Sequence, residues 1–166
     1  MVCSQSKNEQ EAKQKLPVIY EITTGAKAPT ELRQLAIEYA QKLGLVPELG
    51  HVCLYHGKPR VTLDGWFYLF HKHFPKGRLI SRPLNEEERH FLAIEGDLQA
   101  WRAEVYVEGT DNLLSVGYGV ALAGEDPLAH KSAVEPNRPW RMAEEQAEED
   151  AIRKVVPLNI ENETGD

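Results

Sequence analysis

Apolar positions recur every three or four residues over 31–43, where Leu32, Leu35, Ala36, Tyr39, Ala40 and Leu43 share one face. That period predicts an amphipathic helix. Thr30, after Pro29, is the expected N-cap; Gly44 suits the C′ position, and Pro47 bars continuation. From His51 to Tyr55 the chain reads as a strand, His56-Gly57-Lys58-Pro59 as a turn, and Arg60 to Leu63 as the returning strand. A short helix follows over 64–74 with Trp66, Leu69 and Phe70 on one side. Arg78 to Ser81 is a strand candidate. Asn85 and Glu88 have the spacing of a capping box that opens a short helix through Ala93. Two further strands fit 99–108 and 113–122, joined by the polar turn 109–112. Gly117 and Gly119 in the second strand suggest close approach of another backbone. A Pro- and Gly-containing connection over 124–139 leads to a last helix at 140–154. Residues 1–16 read as a mobile polar arm, 17–160 as one domain, and 161–166 as an acidic disordered tail. The order α-ββ-α-β-α-ββ-α has no regular βαβ alternation. It predicts an α+β fold: a mostly antiparallel sheet of hairpins, covered by helices and closed by a long C-terminal helix.

The chain has 166 residues, room for one domain and a core that needs no disulfide or metal. Its net charge of −7 excludes a generally basic DNA-coating protein but not a local basic patch. The two cysteines, Cys3 and Cys53, form no disulfide framework, which fits a reducing compartment. No apolar run approaches the roughly 18 residues of a membrane helix. Residues 1–15 have no apolar core of a secretory signal. The expected location is cytoplasmic, away from membranes.

Catalytic patterns are missing. His71 and His73 are two apart and His51 and His56 five apart, neither being the i,i+4 pair of a helical metal site. There is no GxSxG, and Cys53 falls in an apolar strand. The reading is a non-enzyme without a cofactor.

Two segments resemble the RecT/Bet family of phage-type single-strand annealing proteins. Residues 40–54, AQKLGLVPELGHVCL, resemble the RecT helix end, its Leu-Gly-Leu-x-Pro turn and its Gly-His-Val strand entry. Residues 144–157, EEQAEEDAIRKVVP, resemble the family's C-terminal helix, with Pro139-Trp140 just before it. Arg141-Met142 resembles the Arg-Met of Bet proteins, and the spacing from Arg141 to Arg153 fits that pattern. Thr62-Leu63-Asp64-Gly65-Trp66 stands where the family has a strand, a Gly and a short helix. The resemblance spans roughly 32–158. It implies binding of single-stranded DNA, ATP-independent pairing of complementary strands into annealed duplex, and homo-oligomers in rings or helical filaments. It also implies a bacterial host, a phage or prophage origin, and a partner exonuclease as a further candidate.

Within that frame, 56–82 carries Lys58, Arg60, Lys72, Lys76, Arg78 and Arg82 against Asp64 alone, a local surplus of five positive charges. Phosphate neutralisation releases counterions and gives salt-sensitive affinity. These six, with Arg141, Arg153 and Lys154 of the last helix, are the candidate DNA-binding residues. Trp66 and Trp140 are candidates for base stacking, with core packing as the competing role for each. The last helix departs from the family: Glu148 and Glu149 stand where RecT has a lysine pair, and Glu144 and Gln146 where Bet is basic. Glu149 is four residues before Arg153, so a helical salt bridge competes with phosphate for that arginine. In an assembly, the acidic helix would meet Arg60 or Arg78 of a neighbouring copy. A non-DNA-binding interaction or regulatory protein of the same fold is the alternative.

Overall fold

A computed structural model describes residues 16–107, 112–122 and 138–158. Most of the predicted arm, the 109–112 turn except Asn112, the 124–137 connection and the 161–166 tail lie outside the described residues. The elements are α1 (Thr30–Leu43), β1 (Val52–Tyr55), β2 (Lys58–Val61), α2 (Leu63–His73), β3 (Arg78–Pro83), α3 (Glu86–Phe91), β4 (Gln99–Tyr106), β5 (Leu113–Ala121) and α4 (Pro139–Arg153), with a 3-10 turn at Pro47–Leu49. Their order is the predicted one, and the fold is α+β. β1 and β2 form an antiparallel hairpin; β3, β4 and β5 form a second antiparallel sheet in that spatial order. No helix among the described residues is long and apolar enough to cross a membrane.

One apolar core joins the two sheets. α1 packs on β1 and β2, α2 packs on α4, and α4 lies across β3, β4 and β5. Leu54, Phe70, Val105 and Ile152 are fully buried where these layers meet. Trp66, Leu69 and Phe70 form the buried side of α2, as their spacing predicts. Thr62 starts that helix: its Oγ1 accepts from Gly65 N–H (3.2 Å) and donates to the Gly50 carbonyl (2.7 Å). The Asn85–Glu88 capping box is present with both reciprocal bonds.

Two local expectations need correction. Thr30 is not the N-cap of α1; Pro29 occupies that position without a side-chain cap, and Thr30 Oγ1 instead accepts from Arg33. The β1–β2 turn is two residues long, not four. His56 and Gly57 take φ of 50° and 72°, while Lys58 and Pro59 already pair with Tyr55 and Leu54. Two successive positive φ values twist the chain to match the strands. The Glu21 carboxylate accepts the N–H groups of both turn residues, at 3.0 and 2.9 Å.

Among the described residues, His51 is the buried polar residue of the core. Its Nδ1 accepts from Val46 N–H (3.2 Å), and its ring lies 4.6 Å from that of Tyr68. An acceptor at Nδ1 is an unprotonated nitrogen. Burial holds its pKa below 6.5, against a smaller upward pull from Asp64. The unfolded imidazole therefore takes up a proton at higher pH than the folded one. Stability contributed by neutral His51 is complete above about 6.5 and declines as pH falls below it. Urea midpoints measured from pH 7.5 to 5.5 should fall for the wild type. They should fall less for His51→Asn, whose amide oxygen accepts without titrating; parallel slopes would refute the assignment.

Candidate nucleic-acid interface

The seat of α4 on the sheet is made by small residues. Ala143, Ala147 and Ala151 are fully buried on the helix, opposite Gly117 and Gly119 of β5. A β-carbon on Gly117 would strike the Ala147 carbonyl oxygen, and one on Gly119 the Ala143 carbonyl oxygen. This contact brings the next row of α4 side chains onto the outer edge of β5. Gln146 accepts from Val120 N–H (3.2 Å), Asp150 accepts from Tyr118 N–H (3.2 Å), and Lys154 donates to the Val116 carbonyl (2.7 Å). Helix positions four apart thus meet strand positions two apart.

The opposite face of the β3–β4–β5 sheet has no described helix lying across it. Side chains alternate across a strand, and the register sets them in rows: Arg82, Arg102 and Tyr118; Ile80, Glu104 and Val116; Arg78 and Tyr106. Ile80, Tyr118 and Val120 are exposed there. The Arg78 guanidinium lies 5.7 Å from the Tyr106 ring centroid. Glu88 of α3 receives both terminal nitrogens of Arg82 (2.7 and 2.6 Å) and one of Arg102 (3.0 Å). The Arg82 hydrogen bonds, then the Asn85 N–H, hold the Glu88 carboxyl down at about 2. Arg102 also pairs with Glu104 (2.6 Å). α3 stands at the end of this face and leaves Phe91 87% exposed, the most open large apolar side chain described. Between α3 and the sheet is a cavity of about 410 Å³ lined by Glu87, Glu88, Phe91, Leu92, Arg102 and Tyr118.

The nine candidate cations do not form one patch. Arg60 and Arg153 share Glu149 (3.1 and 3.5 Å), where the hairpin meets the end of α4. Arg60 therefore has an acidic partner within its own chain. Arg141 pairs with Glu144 and Glu145 of its own helix, twelve residues or about 18 Å from Arg153. Lys154 pairs with Asp150 (2.7 Å) and caps the β5 edge, and Arg82 is held by Glu88. Lys58, Lys72 and Arg78 are exposed and make no ion pair with a described carboxylate; Lys76 is exposed just before β3. The Lys72 ammonium lies against Gly44, at the end of α1.

The two tryptophans differ from each other. Trp66 is 4% exposed with Arg153 over its ring at 5.7 Å, so its faces are closed to a base. Its three-to-four-residue spacing with Leu69 and Phe70 marks it as core. Trp140 is 40% exposed, with its ring 6.3 Å from that of Trp101. Phe91, Arg102, Tyr106 and Tyr118 are not among the candidates that charge and aromatic spacing single out along the sequence. The two-residue period of β4 and β5 places the last three on one face. Phe91 had a signal too: Glu87 and Glu88 stand at i−4 and i−3, so no apolar neighbour one turn back on its helix covers it.

No protein-family model, curated protein or solved structure matches the chain.

Proposed function

We propose that this protein binds single-stranded DNA and anneals complementary strands without ATP, acting as a homo-oligomer in a bacterial cytoplasm as part of phage-type recombination. The observation that carries this reading is the open sheet face, where Arg78, the rings of Tyr106 and Tyr118 and the cavity beside Phe91 lie together, Arg82 and Arg102 on the same face being held by Glu88. An annealing protein holds strands by backbone charge and by stacking that tolerates any base, and leaves pairing edges free. The resemblance in the helix–turn–strand segment at 40–54 and in the last helix supports the same reading. Annealed duplex is the product, and a partner exonuclease would supply the single strands.

A second reading has its own support. Five of the nine candidate cations are tied to carboxylates of the same chain. With a net charge of −7, this suits an oligomeric interaction protein of the same fold that binds no DNA. Annealing of complementary oligonucleotides at low and moderate salt separates the two. The annealing protein should accelerate pairing. Lys58→Ala/Lys72→Ala/Arg78→Ala, which breaks no described ion pair, should weaken strand binding and flatten its salt dependence by about 0.7 log unit per lost phosphate contact. No acceleration by the wild type would leave the interaction protein as the reading.

A further inference from the structure

Sheet edges expose unpaired backbone groups that can template another strand. Among the described strands, three of the four outer edges are blocked. The β5 edge is sealed by Gln146, Asp150 and Lys154. The β1 edge pairs with the segment before it, through Ile22 N–H to the Leu54 carbonyl (2.8 Å) and Leu54 N–H to the Tyr20 carbonyl (3.0 Å). The β2 strand is four residues long and carries Pro59, whose missing N–H blunts that edge.

The β3 edge is different. Leu84 N–H donates to the Ala100 carbonyl (2.9 Å), which fixes the phase of the β3–β4 ladder. Arg82, Ile80 and Arg78 then turn their backbone groups toward β4, and Leu79 and Ser81 turn theirs outward. β4 agrees: its odd-numbered residues serve β5, whose even-numbered groups go to α4. No hydrogen bond to the Leu79 or Ser81 backbone from beyond the sheet occurs among the described residues.

The side chains along this edge divide by face. Arg78 and Arg82 flank exposed Ile80 on the open face. On the helix face, Ser81 Oγ lies 3.0 Å from a Glu144 oxygen and 2.9 Å from a Glu148 oxygen, its one hydroxyl proton serving either, which brings two carboxyl groups to the edge. The edge thus has guanidinium groups on one face, Arg78 without a described carboxylate partner and Arg82 shared with Glu88, and on the other face the α4 carboxylates of Glu148 and of Glu144, the latter shared with Arg141. A second β3 strand docked about a two-fold at Ile80 would set Arg78 opposite Arg82, a like-charge pair that opposes self-association here.

We propose that the β3 edge is a strand-addition site for an extended peptide of another protein, with acidic residues opposite Arg78 and Arg82, an apolar residue opposite Ile80 and basic residues opposite Leu79 and Ser81. The added strand runs antiparallel, like the rest of the sheet. Its basic residues exchange backbone hydrogen bonds with Leu79 and Ser81 and meet Glu144 and Glu148. This site needs no nucleic acid, so it stands or falls apart from annealing.

The test uses the full chain and two fluorescein-labelled peptides of identical composition, Thr-Glu-Lys-Ile-Lys-Glu-Thr and its phase-swapped form Thr-Lys-Glu-Ile-Glu-Lys-Thr. Anisotropy titrations at fixed moderate salt should favour the first by about tenfold or more, because each cross-strand charge pair reverses in the second. N-methylation at both lysines of the first peptide removes the N–H groups that face β3 and should cost at least about another tenfold. N-methylation at the isoleucine should be tolerated, since that N–H faces away. Equal binding of the two phases would mean unspecific charge attraction and overturn the proposal. So would equal tolerance of both methylation patterns, or no binding by about 1 mM peptide.

Discussion

Gly119→Ala is expected to destabilise the protein by about 3 kcal/mol, the upper part of the range for overpacking. In a domain of this length that lowers Tm by roughly 6–12 °C. The added methyl meets the Ala143 carbonyl and the Ala147 nitrogen, which are backbone groups. Ala143→Gly should therefore not rescue it, whereas a side-chain clash would be relieved. Moving α4 outward is the remaining escape, and it would pull Gln146 and Asp150 from the Val120 and Tyr118 N–H groups. Exposure of that edge should add a tendency to aggregate above that of an equally unstable core variant. Thermal melts with light scattering read both effects, and a loss below about 1 kcal/mol would show that the helix is not pinned by these contacts.

Phe91→Ala/Tyr118→Ala is expected to give the largest loss of function. If both rings stack on bases, each contributes about 1–3 kcal/mol, roughly a 5- to 150-fold change in affinity for single-stranded DNA. Phe91 is 87% exposed and Tyr118 40% exposed, so the folded state should change little. Binding to a labelled oligonucleotide of mixed sequence, with urea unfolding in parallel, separates the two roles. Full affinity in the double variant would remove the open sheet face from the proposed function. The ion-paired cations predict a weaker pattern: Arg141→Ala loses contacts to Glu144 and Glu145 on an exposed helix turn and should cost only tenths of a kcal/mol.

The elements were legible because each has a local cause. Leu32, Ala36, Tyr39 and Leu43 set the helical period of α1. Asn85 and Glu88 cap α3 by bonds within four residues. Gly117 and Gly119 already pointed to a close backbone, though not to α4 as the partner. The turn at His56-Gly57 was misread because Pro59 looked like a turn residue. Pro59 fits β2 because the hydrogen-bonded pairs of the hairpin fall at Lys58 and Arg60, leaving the proline on the outer edge, where it needs no N–H. The site was less legible for a different reason. A run of cations in sequence says nothing about which carboxylates reach it in space: Glu149 meets Arg60 across 89 positions, and Glu88 gathers Arg82 and Arg102 from two strands. Long-range pairing of this kind leaves no local periodicity to read.

The hairpin that carries Lys58 and Arg60 is braced on three sides. Glu21 clasps its tip, Tyr20 to Ile22 run alongside β1, and Glu149 of α4 takes hold of Arg60 from the flank. These contacts tie its tip, one edge and one side chain to the rest of the fold. Whatever lands on those two cations meets a ledge that Arg60 and Glu149 join to the long helix on which the larger sheet is mounted.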